Sequence, residues 1–150
     1  MRVVIQRVSS SKVTIDSKIV GSIGQGLNLL LGIEEADESS DIEWLVQKII
    51  NLRIFSDAEG KMNLSIKEID GEILLISQFT LHASYKKGNR PSFIKSARPE
   101  QAIPLYESFK KQLGIEMGKE IASGGFGTDM KVDIQNDGPV TIIMDSRNKE

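Results

Sequence analysis

Two long apolar runs constrain the fold of this chain more than any other feature of its sequence. They are LNLLLGI at residues 27–33 and EILLISQFTL at residues 72–81. A strand with one face in solvent alternates apolar and polar residues, whereas a strand covered on both faces is continuously apolar. Both runs are therefore predicted to be buried strands.

Helical spacing follows each of these runs. Ser40 and Glu43 form a predicted capping box, so a first helix is expected at about residues 41–52. A second helix is predicted at about residues 99–113, with Gly114 as its stop signal. Pro104 falls inside it, and an interior proline removes a hydrogen bond, so a kink or a later start is expected. The residues predicted to face the core are Ile42, Leu45, Val46, Ile49 and Ile50 in the first helix and Ala102, Leu105, Tyr106, Phe109 and Leu113 in the second.

The remaining segments alternate with the period of a strand. Predicted strands lie at residues 3–8, 12–16, 18–24, 116–123, 130–136 and 140–146, with a hairpin turn at Ser17. With 150 residues the chain has room for one core. The prediction is an α/β fold: a single layered domain over residues 1–150, in which a mixed β-sheet is covered by two main helices. Its element order is roughly β-β-β-β-α-β-α-β-β-β, and about residues 147–150 are a frayed tail.

Composition excludes several classes of protein. The chain has no cysteine, which rules out disulfides and thiolate chemistry, and a single histidine with scattered acids has no metal-ligand spacing. We therefore expect no metal and no cofactor. No apolar run approaches the roughly 20 residues of a membrane span. The first eight residues alternate like a strand and lack the apolar block of a signal peptide, so a cytoplasmic protein without a membrane partner is expected.

Charge is distributed unevenly along the chain. Residues 86–98, KKGNRPSFIKSAR, carry five cations and no acid. The net charge of the whole chain is −2, so the residues outside this stretch sum to −7. A protein that binds long nucleic acid nonspecifically is usually basic overall. The patch therefore fits contact with a few phosphates, and a solvated loop is the alternative.

The segment SQFTL ends the second apolar run in hydroxyl and amide groups. Such groups need partners from the fold or from a ligand, because an unpaired buried polar group is costly. Continued strand alternation would place Ser77, Phe79 and Leu81 on one face, and Gln78, Thr80 and His82 on the other. His82 is the only histidine, and it is either a surface residue or a base beside Thr80. No carboxylate completes a triad.

Five segments together resemble one known family. SQFTL (77–81), KKGNRPSF (86–93), FGTDM (126–130) and NDGPVT (136–141) occur in this order, after VVIQRV (3–8). The set is similar to the D-aminoacyl-tRNA deacylases, long called D-tyrosyl-tRNA deacylases, and the resemblance spans residues 1–146. It implies hydrolysis of the ester between a D-amino acid, or mischarged glycine, and the terminal adenosine of tRNA. It also implies a homodimer with two sites at the subunit interface, and a tRNA rather than a DNA partner.

The resemblance implies a role for particular residues. Those of one subunit's pocket and catalytic segment would be Ser77, Gln78, Phe79 and Thr80. Gly138 and Pro139 would form a Gly-cisPro element that enters the pocket of the other subunit. Arg7 would brace that loop. Phe126 and Met130 would lie near the adenosine and the substrate, and the residues implied to contact tRNA phosphates are Lys86, Lys87 and Arg90.

The implied chemistry requires little from the side chains. An aminoacyl ester is already activated, so positioning, backbone N–H groups near Phe79 and Thr80, and the ribose 2′-hydroxyl would be enough. Rigid backbone at Gly138 and Pro139 would exclude the side chain of an L-amino acid and admit glycine. Three alternatives stay open: Thr80 as a nucleophile, a noncatalytic RNA-binding module, and an esterase of free metabolites.

Overall fold

A computed structural model describes every residue from Met1 to Glu150. The chain forms eight strands, two α-helices and one short 3-10 helix. In chain order these are β1 (Arg2–Ile15), β2 (Lys18–Ile23), β3 (Gly26–Gly32), α1 (Ser39–Ile50), β4 (Phe55–Ser56), β5 (Met62–Leu64), β6 (Glu72–Ser77), the 3-10 helix (Phe79–His82), α2 (Pro99–Met117), β7 (Ala122–Ser123) and β8 (Lys131–Asp145).

The two apolar runs form the centre of the main sheet. Its strand order is β2-β1-β3-β6-β7, and β8 pairs with β1 outside this path. β3 and β6 are parallel neighbours, with Leu27 opposite Ile73 and Leu31 opposite Ser77. β1 is antiparallel to β2, β3 and β8. The predicted buried strands and the mixed α/β fold are confirmed.

Both α-helices cover the sheet with the apolar faces that their spacing predicts. The buried residues are Ile42, Leu45, Val46, Ile49 and Ile50 in α1 and Ala102, Tyr106, Phe109 and Leu113 in α2. Leu105 is partly buried and packs against the same core. No helix here combines the length and the apolarity that a membrane crossing requires.

The predicted helix ends are wrong in two places. The N-cap of α1 is Glu38, two residues before the predicted cap Ser40, because Asp41, rather than Glu43, accepts the hydrogen bond from the capping backbone N–H, that of Glu38, at 2.8 Å. α2 continues through Gly114 and ends at Gly118, whose φ of 65° is the left-handed conformation that terminates helices. α2 begins at Pro99, as predicted, so of the two effects expected of Pro104 a later start does not occur.

Several predicted strands have different limits. The first two are one continuous strand, β1, and the last two are one strand, β8, because these long strands pair along most of their length. Of residues 116–123 only Ala122–Ser123 is a strand, since α2 extends to Met117. The short β4-β5 hairpin was not predicted, because two- and three-residue strands leave almost no periodicity.

One irregularity in the β1-β8 pairing lies at the segment that contains Gly138 and Pro139. Gln6 lies opposite Thr141, and Val8 lies opposite Asn136. Residues 137–140 therefore face Arg7 alone and project from β8 as a bulge. We refer to residues 137–140 as the β8 bulge.

Candidate active site

A cavity opens where the parallel strands β3 and β6 end. In open α/β sheets ligands bind at the carboxyl ends of the strands. Ser77 is the last residue of β6, and the next amide, that of Gln78, donates a hydrogen bond to the Leu31 carbonyl at 2.8 Å. The cavity volume is about 560 Å³. Its lining includes Leu31, Ile33, Ile76, Ser77, Gln78, Phe79, Ser96, Ala97, Ala102, Phe126, Thr128, Asp129, Met130 and Val132.

The chain leaves β6 as a tight turn and does not continue as a strand. The Leu81 amide donates to the Gln78 carbonyl at 3.2 Å, and the Ala83 amide donates to the Thr80 carbonyl at 3.0 Å. The predicted strand through Leu81, and the alternation of faces derived from it, are wrong. β3 ends at Gly32, so no neighbouring strand is present to pair with an extended chain after Ser77. We call residues 77–82 the site turn.

Two amides at the start of the site turn are not used by the turn itself. The amides of Gln78, Leu81 and Ala83 donate the hydrogen bonds described above, and neither the Phe79 nor the Thr80 amide takes part in them. The first N–H groups of any helix have no acceptor within that helix. The carbonyl of Phe79 is held by the Ser96 hydroxyl, which donates to it at 3.0 Å. The turn therefore presents two neighbouring N–H donors on a fixed backbone.

The side chains of Gln78 and Thr80 interact with each other. The Gln78 amide nitrogen Nε2 donates a hydrogen bond to the Thr80 hydroxyl oxygen Oγ1. The Thr80 side chain is exposed and does not line the cavity. No base contacts this hydroxyl.

His82 ends the site turn and is buried, with only 5% of its surface exposed. Its ring lies beside the backbone of Gly32, because a Cβ added to Gly32 would be 3.1 Å from His82 Cδ2. Its Nε2 atom has no hydrogen-bond partner in the protein. The interpretation of His82 as a surface residue is therefore wrong, and His82 also makes no hydrogen bond to the Thr80 hydroxyl.

Phe126 and Met130 form the opposite wall of the cavity. The ring of Tyr106, in α2, packs edge-on against Phe126 with the ring centres 5.6 Å apart. The Tyr106 hydroxyl donates to the Leu75 carbonyl in β6 at 2.9 Å. Burial, reinforced by the charge of Glu107, raises the pKa of Tyr106, so its hydroxyl stays protonated and remains a donor. This residue ties the wall, α2 and the central sheet together.

The loop that carries this wall requires glycine at one position. Gly124 follows β7, and its amide donates to the Leu75 carbonyl at 3.3 Å. A Cβ at Gly124 would overlap the Met130 sulfur Sδ. The GGFG segment therefore allows close packing between the loop backbone and a wall residue.

The β8 bulge lies outside this cavity. The Gly138–Pro139 peptide bond is cis, and both residues are exposed. Gly138 has a φ of 125°, which side chains rarely adopt, and a Cβ there would be 2.7 Å from Arg7 Nη2. The tip of the bulge thus faces solvent in the single chain.

Arg7 and Asn136 hold the bulge from behind. Arg7 Nε donates to the Asp137 carbonyl at 3.1 Å, and Nη1 donates to the Ile54 carbonyl at 2.6 Å. The side-chain nitrogen of Asn136, Nδ2, donates to the backbone carbonyls of Arg7 and Val140 at 2.9 and 3.1 Å. These four hydrogen bonds connect the bulge to β1 and to the segment after α1.

The basic stretch, together with Ser84 and Tyr85 before it, forms a short arm beside the cavity, and we call residues 84–98 the basic arm. Ser84 and Ser92 exchange backbone hydrogen bonds of 2.7 and 2.8 Å at the base of the arm. Phe93 packs edge-on against Phe79, with ring centres 5.1 Å apart. The exposed residues of its tip include Lys86, Lys87 and Arg90. The arm is thus attached directly to the site turn.

The structure gathers only part of the predicted site into one place. The predicted residues that line the cavity are Ser77, Gln78, Phe79, Phe126 and Met130. Those outside it are Thr80, Arg7, Gly138, Pro139, Lys86, Lys87 and Arg90. Sequence reasoning missed Ser96, whose hydroxyl fixes the turn. Nothing in the sequence around Ser96 indicates this hydrogen bond, because the bond joins residues that are 17 positions apart.

Comparison with known proteins gives consistent matches. The family model described as D-Tyr-tRNA(Tyr) deacylase matches residues 4–145. A curated protein of Flavobacterium psychrophilum named D-aminoacyl-tRNA deacylase is 63% identical over 150 residues, which is 100% of both chains. The solved structure of a protein named c-Myc DNA Unwinding Element Binding Protein is 43% identical, has a TM-score of 0.90, and is matched over 97% of this chain and 98% of that chain.

A more distant solved structure has the same fold. It is that of a protein described as a probable eukaryotic D-amino acid tRNA deacylase. It is 17% identical, with a TM-score of 0.81, and the match covers 95% of this chain and 97% of that one. The family model and the full-length relative together show that the chain belongs to the D-Tyr-tRNA(Tyr) deacylase family.

Proposed function

We propose that this chain hydrolyses the ester bond of D-aminoacyl-tRNA, and of glycine mischarged on tRNA, releasing the free amino acid and tRNA. Membership of the family and the name of the curated relative support this activity. The observation that carries the proposal is the cavity, in which Ser77, Gln78 and Phe79 face Phe126 and Met130. The enzyme would work in the cytoplasm, where it meets charged tRNA.

Backbone donors would supply most of the catalysis. The amides of Phe79 and Thr80 would stabilise the negative oxygen that forms when water attacks the ester carbonyl. In other enzymes removal of one such donor costs roughly 10²–10³ in rate. The ribose 2′-hydroxyl of the substrate would assist, and the cavity walls would hold the ester in position.

Handedness would be read by a second subunit. The proposed enzyme is a homodimer in which the partner subunit's Gly138 and Pro139 reach into the cavity and exclude an L side chain. Supporting this, the β8 bulge is exposed, is braced by Arg7, and lies outside the cavity of its own chain. Ile143, on the same strand, is an isoleucine with 67% of its surface exposed, as expected of a residue covered by a partner.

A deacylation assay tests the proposal. The protein is incubated with D-tyrosyl-tRNA and, separately, with L-tyrosyl-tRNA, and release of tyrosine is followed. Selective release of D-tyrosine is expected. Equal release of both, or of neither, contradicts the proposed activity. Light scattering should give twice the mass of one chain, and a monomer would contradict the shared site.

Thr80 as a nucleophile is the alternative mechanism. Its hydroxyl is engaged by Gln78 and has no neighbouring base. We therefore expect Thr80→Ala to lower kcat/KM for D-tyrosyl-tRNA only a few fold, because the backbone donors stay in place. Complete loss of turnover in a folded Thr80→Ala protein, together with a trapped acyl-enzyme in the unmutated protein, would establish the nucleophile instead.

A noncatalytic nucleic-acid-binding module is the second candidate function. The basic arm favours it, as does the 43% identical solved structure, whose name refers to binding of a DNA unwinding element. The proposed deacylase would use Lys86, Lys87 and Arg90 for tRNA phosphates. Binding of tRNA without release of the amino acid would favour the module. Cleavage of simple amino acid esters as fast as charged tRNA would indicate an esterase of free metabolites.

A further inference from the structure

A second cleft lies between the base of the basic arm and the C-terminal end of the chain. Its volume is about 510 Å³, which is within the range of small-molecule sites. Tyr85, Lys86 and Lys95 of the arm form one side, and Arg2, Asp145 and Arg147 form the other. Of the residues named here, only Lys86 has a role proposed above, in contact with tRNA phosphates.

The charges of the cleft leave two cations without partners. Asp145 Oδ2 lies 2.9 Å from Arg2 Nη2, so this acid is already neutralised. Glu34, which also lines the cleft, lies 3.7 Å from Arg147 Nε. Lys86 and Lys95 make no ion pair with any residue of the chain. An anionic occupant is therefore favoured.

Two further groups in the cleft have no partner in the protein. Tyr85 has 82% of its surface exposed, which is unusual for so large a ring. His82 lines the cleft although it is 95% buried, and its Nε2 atom has no hydrogen-bond partner. A free aromatic face and two free lysines match the parts of a nucleotide: a base to stack, and phosphates to pair. The His82 Nε2 atom is itself buried, so it is not a contact for such a ligand.

The cleft shares two chain segments with the active-site cavity. His82 is the last residue of the site turn, whose Phe79 lines the cavity. Lys95 lines the cleft, and the next residue, Ser96, lines the cavity. The two sites are therefore connected through both of these backbone segments.

We propose that this cleft is a nucleotide subsite for the single-stranded 3′ end of the RNA substrate, in which Tyr85 stacks on a base and Lys86 and Lys95 bind its phosphates. The subsite rests on the proposed function and defines how the substrate is held beyond its last nucleoside. Stacking tolerates any base, so the subsite would contribute affinity without selecting a sequence.

The test compares two substrates that differ only in the part the cleft would bind. D-tyrosyl-tRNA carries the preceding nucleotides, whereas 3′-O-D-tyrosyl-adenosine lacks them. The variants are Tyr85→Ala and the double variant Lys86→Ala/Lys95→Ala. Tyr85→Phe, which keeps the ring, is the matched control for stacking. Lys67→Ala/Lys111→Ala, which removes two exposed lysines that line neither site, is the control for charge.

The expected result is an increase in KM for D-tyrosyl-tRNA alone. Tyr85→Ala and the double lysine variant should each raise KM for D-tyrosyl-tRNA about tenfold, with kcat unchanged and with no effect on D-tyrosyl-adenosine. The two controls should match the unmutated protein. An unchanged KM for D-tyrosyl-tRNA, or an equal loss on both substrates, overturns the subsite but leaves the deacylase intact. If the unmutated protein hydrolyses neither substrate, the proposed function fails and the subsite fails with it.

A binding measurement gives a readout independent of turnover. Uncharged tRNA is titrated into each protein at several salt concentrations. Loss of two phosphate contacts to a single strand should reduce the slope of log affinity against log salt by about 1.4. An unchanged slope for Lys86→Ala/Lys95→Ala contradicts the phosphate contacts.

Discussion

The site turn and the β8 bulge are held in place in opposite ways. The turn continues directly from β6, whose residues Ile73, Leu74 and Leu75 are at most 1% exposed. The bulge interrupts an edge pairing, and its tip is exposed. The turn is thus positioned by the core of the protein, whereas the bulge is positioned by hydrogen bonds from Arg7 and Asn136.

This difference separates stability from activity. A substitution that moves the turn must also disturb packing at the end of the central sheet, so it should lower both. A substitution that moves the bulge disturbs few buried atoms, so it should lower activity while the fold stays stable. This arrangement is consistent with the proposed roles of the two segments. The site turn needs a rigid backbone for catalysis, and the β8 bulge must remain exposed to reach the partner subunit.

The largest expected effect is that of Gly32→Ala. A Cβ at Gly32 would lie 2.9 Å from the Gln78 carbonyl and 3.0 Å from Leu81 Cβ, so the site turn must shift. A displacement of about 1 Å in a catalytic backbone costs on the order of 100-fold in rate. Overpacking of this kind also costs about 1–3 kcal/mol of stability. Kinetics with D-tyrosyl-tRNA and urea denaturation measure the two losses.

Gly24→Ala is the matched control for this variant. Its added Cβ meets only the Glu72 carboxylate oxygen Oε2, at an ordinary 3.5 Å. It should keep full activity and nearly full stability. If Gly32→Ala were as active as Gly24→Ala, the site turn would not be the catalytic backbone.

Gly138→Ala should lower activity much more than it lowers stability. The residue has a φ of 125°, and its Cβ would be 2.7 Å from Arg7 Nη2, so the bulge must rearrange. Deacylation of D-tyrosyl-tRNA should fall roughly 100-fold, while the free energy of unfolding drops by only about 1–3 kcal/mol. Thermal denaturation and steady-state kinetics on the same sample test this.

Gly60→Ala controls for the backbone strain itself. Gly60 also has a positive φ, of 77°, but nothing lies within 4 Å of its added Cβ. It should lose a similar amount of stability and no activity. Equal activity of the Gly138 and Gly60 variants would show that the bulge has no part in catalysis.

Mixing two inactive variants tests whether the bulge acts on the partner subunit. Gly138→Ala damages the bulge, and Ala97→Phe fills the wall of the cavity. In an equimolar mixture half of the dimers are mixed, and each of these has one cavity that is intact together with the bulge facing it. Activity should therefore recover to about a quarter of the unmutated level. No recovery after subunit exchange would mean that bulge and cavity act within one chain.

The sequence was sufficient for the parts of the molecule that depend on local periodicity. The continuous runs that became β3 and β6 and the apolar faces of α1 and α2 were predictable, because burial repeats with the geometry of each element. The helix ends were not. Glu38 and Asp41 repeat the spacing of Ser40 and Glu43, and both Gly114 and Gly118 are credible stops, so only the packed structure distinguishes them.

Features of the site that depend on long-range contacts could not be predicted. The site turn forms because β3 ends at Gly32, which deprives the chain after Ser77 of a neighbouring strand. The burial of His82 follows from the same turn, and Ser96 reaches Phe79 through the folded arm. The resemblance named five of the cavity residues, but it did not indicate these contacts.

The smallest effect concerns the support behind the cavity wall. Tyr106→Phe removes the hydrogen bond to the Leu75 carbonyl and keeps the ring against Phe126, so stability should fall by about 1 kcal/mol with little change in kcat. Because burial raises the pKa of Tyr106 in the folded state, the unfolded chain releases this proton first as pH rises. The unmutated protein should therefore lose stability relative to Tyr106→Phe above about pH 10, the ordinary tyrosine pKa. Urea denaturation at pH 7 and above pH 10 measures the difference in the free energy of unfolding between the two proteins, which should become smaller at the higher pH. If this difference did not change with pH, the Tyr106 hydroxyl would titrate alike in the folded and unfolded chains. A large fall in kcat of Tyr106→Phe would mean that the Tyr106 hydroxyl acts in catalysis and does not only support the cavity wall.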